Sequence, residues 1–208
     1  MSDTQMAARA VAAMLAATER TEDELNAIDA VCGDGDHGAG MVRGFRAAAA
    51  VPSDGLTSGA YLAATGAAFA DAAGGSSGAL VGGFMQSVGW TLGDDTCDPR
   101  RLASALSEGL ATLCDLGRAK PGDRTMVDAW DPFVTAYAEA AERGVSLPEA
   151  WRHAVPAAQR GAKATVELPA RRGRAAKVAG RGVGSPDAGA VSASYLVLAV
   201  ADVLDGRP

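Results

Sequence analysis

Nowhere along these 208 residues do β-branched or aromatic side chains alternate with polar ones over the length of a strand. What recurs instead is helical spacing. Leu80, Val81, Phe84, Met85, Val88 and Leu92 fall at i, i+1, i+4, i+5, i+8 and i+12, one stripe of an amphipathic helix. Alanine is abundant and aromatic residues make up only 5% of the chain, which favours close-packed helices over a β-sandwich.

Eight helical segments are predicted between breakers. The first runs from about Thr4 to Thr18, the second from Gly38 to Ala50, and the third from Thr57 to Ala73. The fourth opens after Gly74-Gly75. The fifth starts at Asp98-Pro99, an N-cap followed by proline at the first helical position, and reaches about Leu116. A sixth carries Met126, Trp130, Phe133, Val134 and Tyr137 on one face, with Pro132 inside it predicting a kink or a late start. Ser146-Leu-Pro-Glu149 has the form of a capping box and opens the seventh. The eighth is the apolar C-terminal segment, with Asp187 as N-cap. Short connections between long helices imply antiparallel neighbours, hence an all-α bundle or closed helical barrel, read as one domain over residues 1–208.

A net charge of −6 argues against nucleic acid as the main partner. Three cysteines without metal-site spacing point to reduced thiols, and the N-terminus lacks the basic-then-apolar pattern of a secretory leader, so a cytoplasmic protein is expected. The most apolar stretch, Ala188 to Leu204, is interrupted by Ser192, Ser194 and Asp202; a buried helix suits it better than a membrane span.

The most informative stretch is Asp29-Ala-Val-Cys-Gly-Asp34-Gly-Asp36-His37-Gly38. Three carboxylates within eight residues repel one another unless a cation lies between them. Hard oxygen donors in a glycine-rich loop suit magnesium, which completes its octahedron with water and phosphate oxygens. The loop then enters a helix N-terminus, where free N–H groups favour an anion. Cation ligands beside an anion site describe a metal–nucleotide pocket. The dinucleotide fingerprint Gly33-x-Gly35-x-x-Gly38 has no strand before it, and an EF-hand would need glutamate where Phe45 stands. A solvated turn whose aspartates cap the next helix is the plain alternative.

Three further polar loops precede helices: Gly74-Gly75-Ser76-Ser77-Gly78, Gly117-Arg-Ala-Lys-Pro-Gly-Asp-Arg-Thr-Met126, and Gly173-Arg174 continuing to Gly184-Ser-Pro-Asp187-Ala-Gly189. Each alone reads as a connection; four in one helical chain point to phosphate binding. Ala170 to Gly184 holds five cationic residues and no acidic one, and is either a solvated loop or a lid or docking surface.

In order and spacing, these motifs resemble the dihydroxyacetone kinase L-subunit family, and the likeness covers nearly the whole chain. The resemblance implies an eight-helix antiparallel barrel with ADP or ATP at one rim. It implies a pair of Mg2+ ions on Asp29, Asp34 and Asp36, and nucleotide contacts from His37, Gly38, Ala39, Gly40, Ser76, Ser77, Gly117, Met126, Arg174, Asp187, Ala188 and Gly189. Asp29, Asp34, Asp36 and Arg174 carry phosphoryl transfer in this reading. The family often has Asp-Pro-Gly where this chain has Asp187-Ala-Gly189. Related fatty-acid kinase domains tend to carry threonine in place of His37. The implied activity is a short-ketose kinase, on dihydroxyacetone or a tetrulose, with the sugar held by a partner K subunit. In one branch a phosphotransferase-system protein recharges the bound ADP. A nucleotide-loaded regulatory module and an acyl kinase domain are the alternatives; a homodimer is left open. His153 reads as a surface residue.

Overall fold

The computed structural model describes residues 2–94 and 96–207, and within them eight α-helices and no strand. They are α1 (Asp3–Asp29), α2 (His37–Ala49), α3 (Ser58–Ala73), α4 (Gly75–Leu92), α5 (Pro99–Gly117), α6 (Val127–Glu142), α7 (Leu147–Ala164) and α8 (Ala188–Leu204). Each helix packs on the next in sequence, and α8 returns to pack on α1, so the ring closes. The all-α barrel expected from the sequence is the fold observed.

Several helix starts are written locally. Asp98 accepts from the backbone N–H of Arg100 and Arg101, and Asp187 accepts from Ala190 N–H, both as predicted. Ser146 departs from expectation: its side chain accepts no capping bond, so the capping box at α7 does not form. A complete box forms at Ser2 and Gln5, at the start of α1. That helix also runs on to Asp29, well past Thr18. Its second half is mostly polar, yet Leu25 is fully buried, and Glu24 accepts the Tyr195 hydroxyl of α8 at 2.8 Å. Tertiary contact, not local pattern, extends it.

Helix α6 continues through Pro132 from Val127, so there is no late start. Proline leaves the Asp128 carbonyl without its helical donor. Gly161 of α7 lies directly against that carbonyl, where a Cβ would collide. The core is centred on Phe84, Trp130, Phe133, Tyr137 and Trp151. The Phe133 and Trp151 rings meet edge to face at 4.8 Å, and Trp151 Nε1 donates to the Val197 carbonyl of α8 at 2.8 Å.

Up-and-down topology sorts the connections by parity. Loops α1–α2, α3–α4, α5–α6 and α7–α8 fall at one end, and these are the four glycine-rich segments. The N-terminus lies at the other end, where Thr4 donates to the Leu56 carbonyl and Asp3 accepts from Cys97 N–H. Among the described residues no helix is long and apolar enough to cross a membrane, and α8 is mostly buried.

Candidate functional site

The four loops enclose a cavity of about 570 Å³. Its lining brings together Asp29, Asp34, Asp36, His37, Gly40, Ser76, Ser77, Gly117, Met126, Arg174, Asp187, Ala188 and Gly189. Two residues expected there are not part of the lining. Gly38 packs against the Glu22 carbonyl of α1, and the Ala39 N–H is taken by Asn26 Oδ1 at 3.1 Å. These contacts fix the angle between α1 and α2 and hence the loop between them.

Asp29 closes that loop. Its Oδ2 accepts from Gly35 N–H at 2.8 Å and Asp36 N–H at 3.3 Å, folding residues 30–36 back over the end of α1. Asp36 is the N-cap of α2, yet its side chain makes no capping bond. The plain alternative, aspartates devoted to capping, therefore does not describe this turn. Instead Asp29, Asp34 and Asp36 each present an oxygen within 4.8 Å of the others. Ligands of one octahedral Mg2+, at ~2.0–2.1 Å each, span up to about 4 Å, so a small inward adjustment suffices. An oxygen-only set of three carboxylates fits a hard divalent cation.

Beside the carboxylates, even-numbered helices point their N-termini at the cavity. The first turn of α4 has Gly74 as N-cap and no side-chain acceptor, which leaves its donors for an incoming oxyanion. Leu80, Leu113, Leu116, Met126 and Val127 add apolar side chains to the lining. An acidic loop, open helix N-termini and apolar lining in one cavity suit a cation, a polyphosphate and an apolar group.

His37 is buried between helices. Its Nε2 lies 2.9 Å from Ser192 Oγ and its Nδ1 3.2 Å from Ser77 Oγ. Ser192 gives its hydroxyl proton to the Gly189 carbonyl at 3.0 Å, so Nε2 must be the donor and Nδ1 accepts from Ser77. Burial pushes the imidazole below its ordinary range, with the Asp29 charge opposing, so the neutral form fits this relay. Asp187 is pushed up to about 6, chiefly by desolvation; Ala190 N–H and Arg124 oppose, and the Asp128 and Asp29 charges add to the rise.

This carries a prediction. An unfolded aspartate titrates near 3.8, so between that pH and about 6 the native state holds the extra proton. Stability then falls as pH rises through the window, and the full loss persists above it. An asparagine at this position would keep the cap without the charge. Asp187→Asn is expected to lie close to the wild type near pH 4 and exceed it at pH 8 by about 3 kcal/mol, several degrees in thermal midpoint without nucleotide. Parallel melting curves across pH would refute it.

Sequence reading missed the residues that brace the site. Asp128 accepts from Gly122 N–H and from Thr125 N–H at 2.8 Å, shaping the α5–α6 loop. Buried Asp123 and Arg124 reach residues 171–186, the basic segment and the turn after it, through partners 48 to 62 residues away. That segment is not a free solvated loop: it carries short 3-10 turns, lines the cavity, and pairs Arg174 with Asp34. An Asp-Arg pair inside a polar loop was the available signal. His153 is exposed, as expected.

Residues 31–202 match the model of the DAK2 domain. The chain is 43% identical over 187 residues to the L-erythrulose kinase of Pectobacterium atrosepticum, over 88% of this chain and 32% of that protein. It is 32% identical to the ADP-binding subunit DhaL of the PEP-dependent dihydroxyacetone kinase of Escherichia coli, over 85% of this chain and 86% of that one. The dihydroxyacetone kinase of C. freundii in complex with AMP-PNP and Mg2+ is similar with a TM-score of 0.72 at 28% identity, over 95% of this chain and 34% of that one. The chain thus spans about a third of the length of the erythrulose kinases it resembles.

Proposed function

The chain belongs to the DAK2-domain family, and from that premise we propose that it is the nucleotide-binding part of a short-ketose kinase, one domain holding ADP or ATP. The observation that carries this is the clustering of Asp29, Asp34 and Asp36 at the mouth of a cavity onto which helix N-termini open. Its kinship with kinases agrees, and the erythrulose kinases at 42–43% identity favour a tetrulose or a similar short ketose as the sugar.

In this reading Asp29, Asp34 and Asp36 hold a pair of Mg2+ ions. Magnesium, when bound, neutralises charge on the β- and transferred phosphate oxygens. The N–H groups at the start of α4, those of Ser76 and Ser77 among them, fix the phosphates, while the Ser77 hydroxyl proton stays with His37. Gly40, Gly117 and Met126 close around the nucleotide, and the first turn of α8, Asp187 to Gly189, bounds it. With Asp34 engaged by the cation, Arg174 would be free to add positive charge beside the transferring group. Gly38 and Ala39 contribute by holding α2 at its angle.

Neither histidine is placed to hold a ketose: His37 is locked in its relay and His153 is exposed on α7. The sugar is therefore presented by a K-type subunit or module docking at the cavity mouth. Exposed apolar side chains support that dock, since Val31, Leu116, Val178 and Val183 all belong to the segments around the cavity.

The test combines the purified chain with a ketose-loaded K subunit, Mg2+ and either ATP or a phosphotransferase-system donor. Sugar phosphate that vanishes on magnesium chelation is expected. Which donor works, and whether ADP elutes from the denatured protein, separates exchange of ATP from in-place recharging. Binding of Mg-ADP without any sugar phosphate would identify a regulatory module instead. No binding of Mg-nucleotide at all would overturn the reading.

A further inference from the structure

Two adjacent residues of the α5–α6 loop hold both ends of the basic segment. Asp123 is almost fully buried; its Oδ2 accepts from Arg172 Nε at 3.1 Å, and its backbone carbonyl accepts from Arg171 N–H at 3.0 Å. Arg124 takes the other end. The two N–H groups of Nη2, one of them shared, donate to the carbonyls of Gly182 at 3.0 Å, Ser185 at 2.9 Å and Pro186 at 3.1 Å. Those carbonyls lie just before the Asp187 cap of α8, whose first turn lines the cavity.

This arginine is a costly choice for a residue that only fills space. It is 4% exposed, and its φ of 61° lies in the left-handed region that disfavours side chains. Its Nε–H is buried and has no acceptor among the described residues. Position 182 is fitted to it in turn: Gly182 has φ 73°, and a Cβ there would collide with the guanidinium. A strained, charged, buried side chain and a matching glycine, 58 positions apart, form one clasp.

We propose that Arg124 is a positioning residue for nucleotide binding. By gathering three backbone carbonyls it sets the first turn of α8 against the phosphates and, with Asp123, carries Arg174 to the carboxylate cluster. This rests on the nucleotide reading of the cavity.

The experiment measures Mg-ADP affinity by calorimetry well below the thermal midpoint, together with hydrogen exchange over residues 179–189 without nucleotide. Arg124→Ala is expected to lower affinity about 10- to 100-fold, the range for displaced binding groups, and to speed exchange in that segment alone. Arg124→Lys, a point charge without the fork, should lie between. Gly182→Ala attacks the same contact from the other side, and its loss should not add to that of Arg124→Ala. If Arg124→Ala fails to fold, the lysine and Gly182 variants carry the test. Affinity within twofold of wild type, with unchanged exchange, overturns the proposal. A wild type that binds no Mg-ADP overturns the nucleotide reading, while the exchange data still decide the clasp.

Discussion

Replacing Asp34 with asparagine is expected to weaken Mg-ADP binding on the order of 100-fold while the helices and the thermal midpoint stay unchanged. Metal-site supporting residues alone cost about 10–100-fold, and a removed ligand charge belongs at the upper end of that range. The fold survives because Asp34 is half-exposed and, among the described residues, its carboxylate pairs with Arg174, itself exposed. An exposed pair of this kind contributes little to stability. Asp29 is the poorer test, since its Oδ2 also holds the loop closed. Calorimetry with ADP, in magnesium and in chelator, reads the difference. Undiminished magnesium-dependent affinity would mean that the three carboxylates do not hold the cation.

Trp151→Ala should do the reverse. The side chain is 7% exposed, packs on Phe133 and Tyr137, and bonds the Val197 carbonyl across to α8. Truncation leaves a cavity between α6, α7 and α8 and is expected to cost about 3–5 kcal/mol. That is a large share of a domain's ~5–15 kcal/mol. Trp151 lines no part of the cavity among the four loops, so on the proposed reading the affinity of the surviving folded fraction for Mg-ADP should be unchanged. An unfolding free energy from denaturant titration lowered by less than about 1 kcal/mol, or a parallel loss of affinity, would contradict the picture of a core independent of the site.

The contrast bears on what could be read from residues alone. The aspartate trio was legible because its chemistry is local: three like charges in eight residues demand a partner. The caps at Asp98 and Asp187 were legible for the same reason. The second half of α1 was not, because residues 19–29 are polar and are held by Leu25, Asn26 and Glu24 contacts with distant helices. Ser146 carried the right letters for a capping box that its side chain does not make. The roles of Asp123 and Arg124 were signalled only by an Asp-Arg pair in a polar loop, since the bonds that tie them to residues 171–186 span the whole α6–α7 hairpin. Gly38 and Ala39 stood inside a motif yet face α1, a distinction that helix rotation settles and spacing cannot.

Helix α1 begins and α8 ends opposite the cavity, at the end marked by Thr4 and Asp205. Any tether fastened there starts a full helix away, about 26 Å for the 17 residues of α8. Cargo hung on such a leash needs about eight extended residues before it can reach round to the mouth. Surface immobilisation through either terminus should therefore leave the opening unobstructed for whatever approaches it.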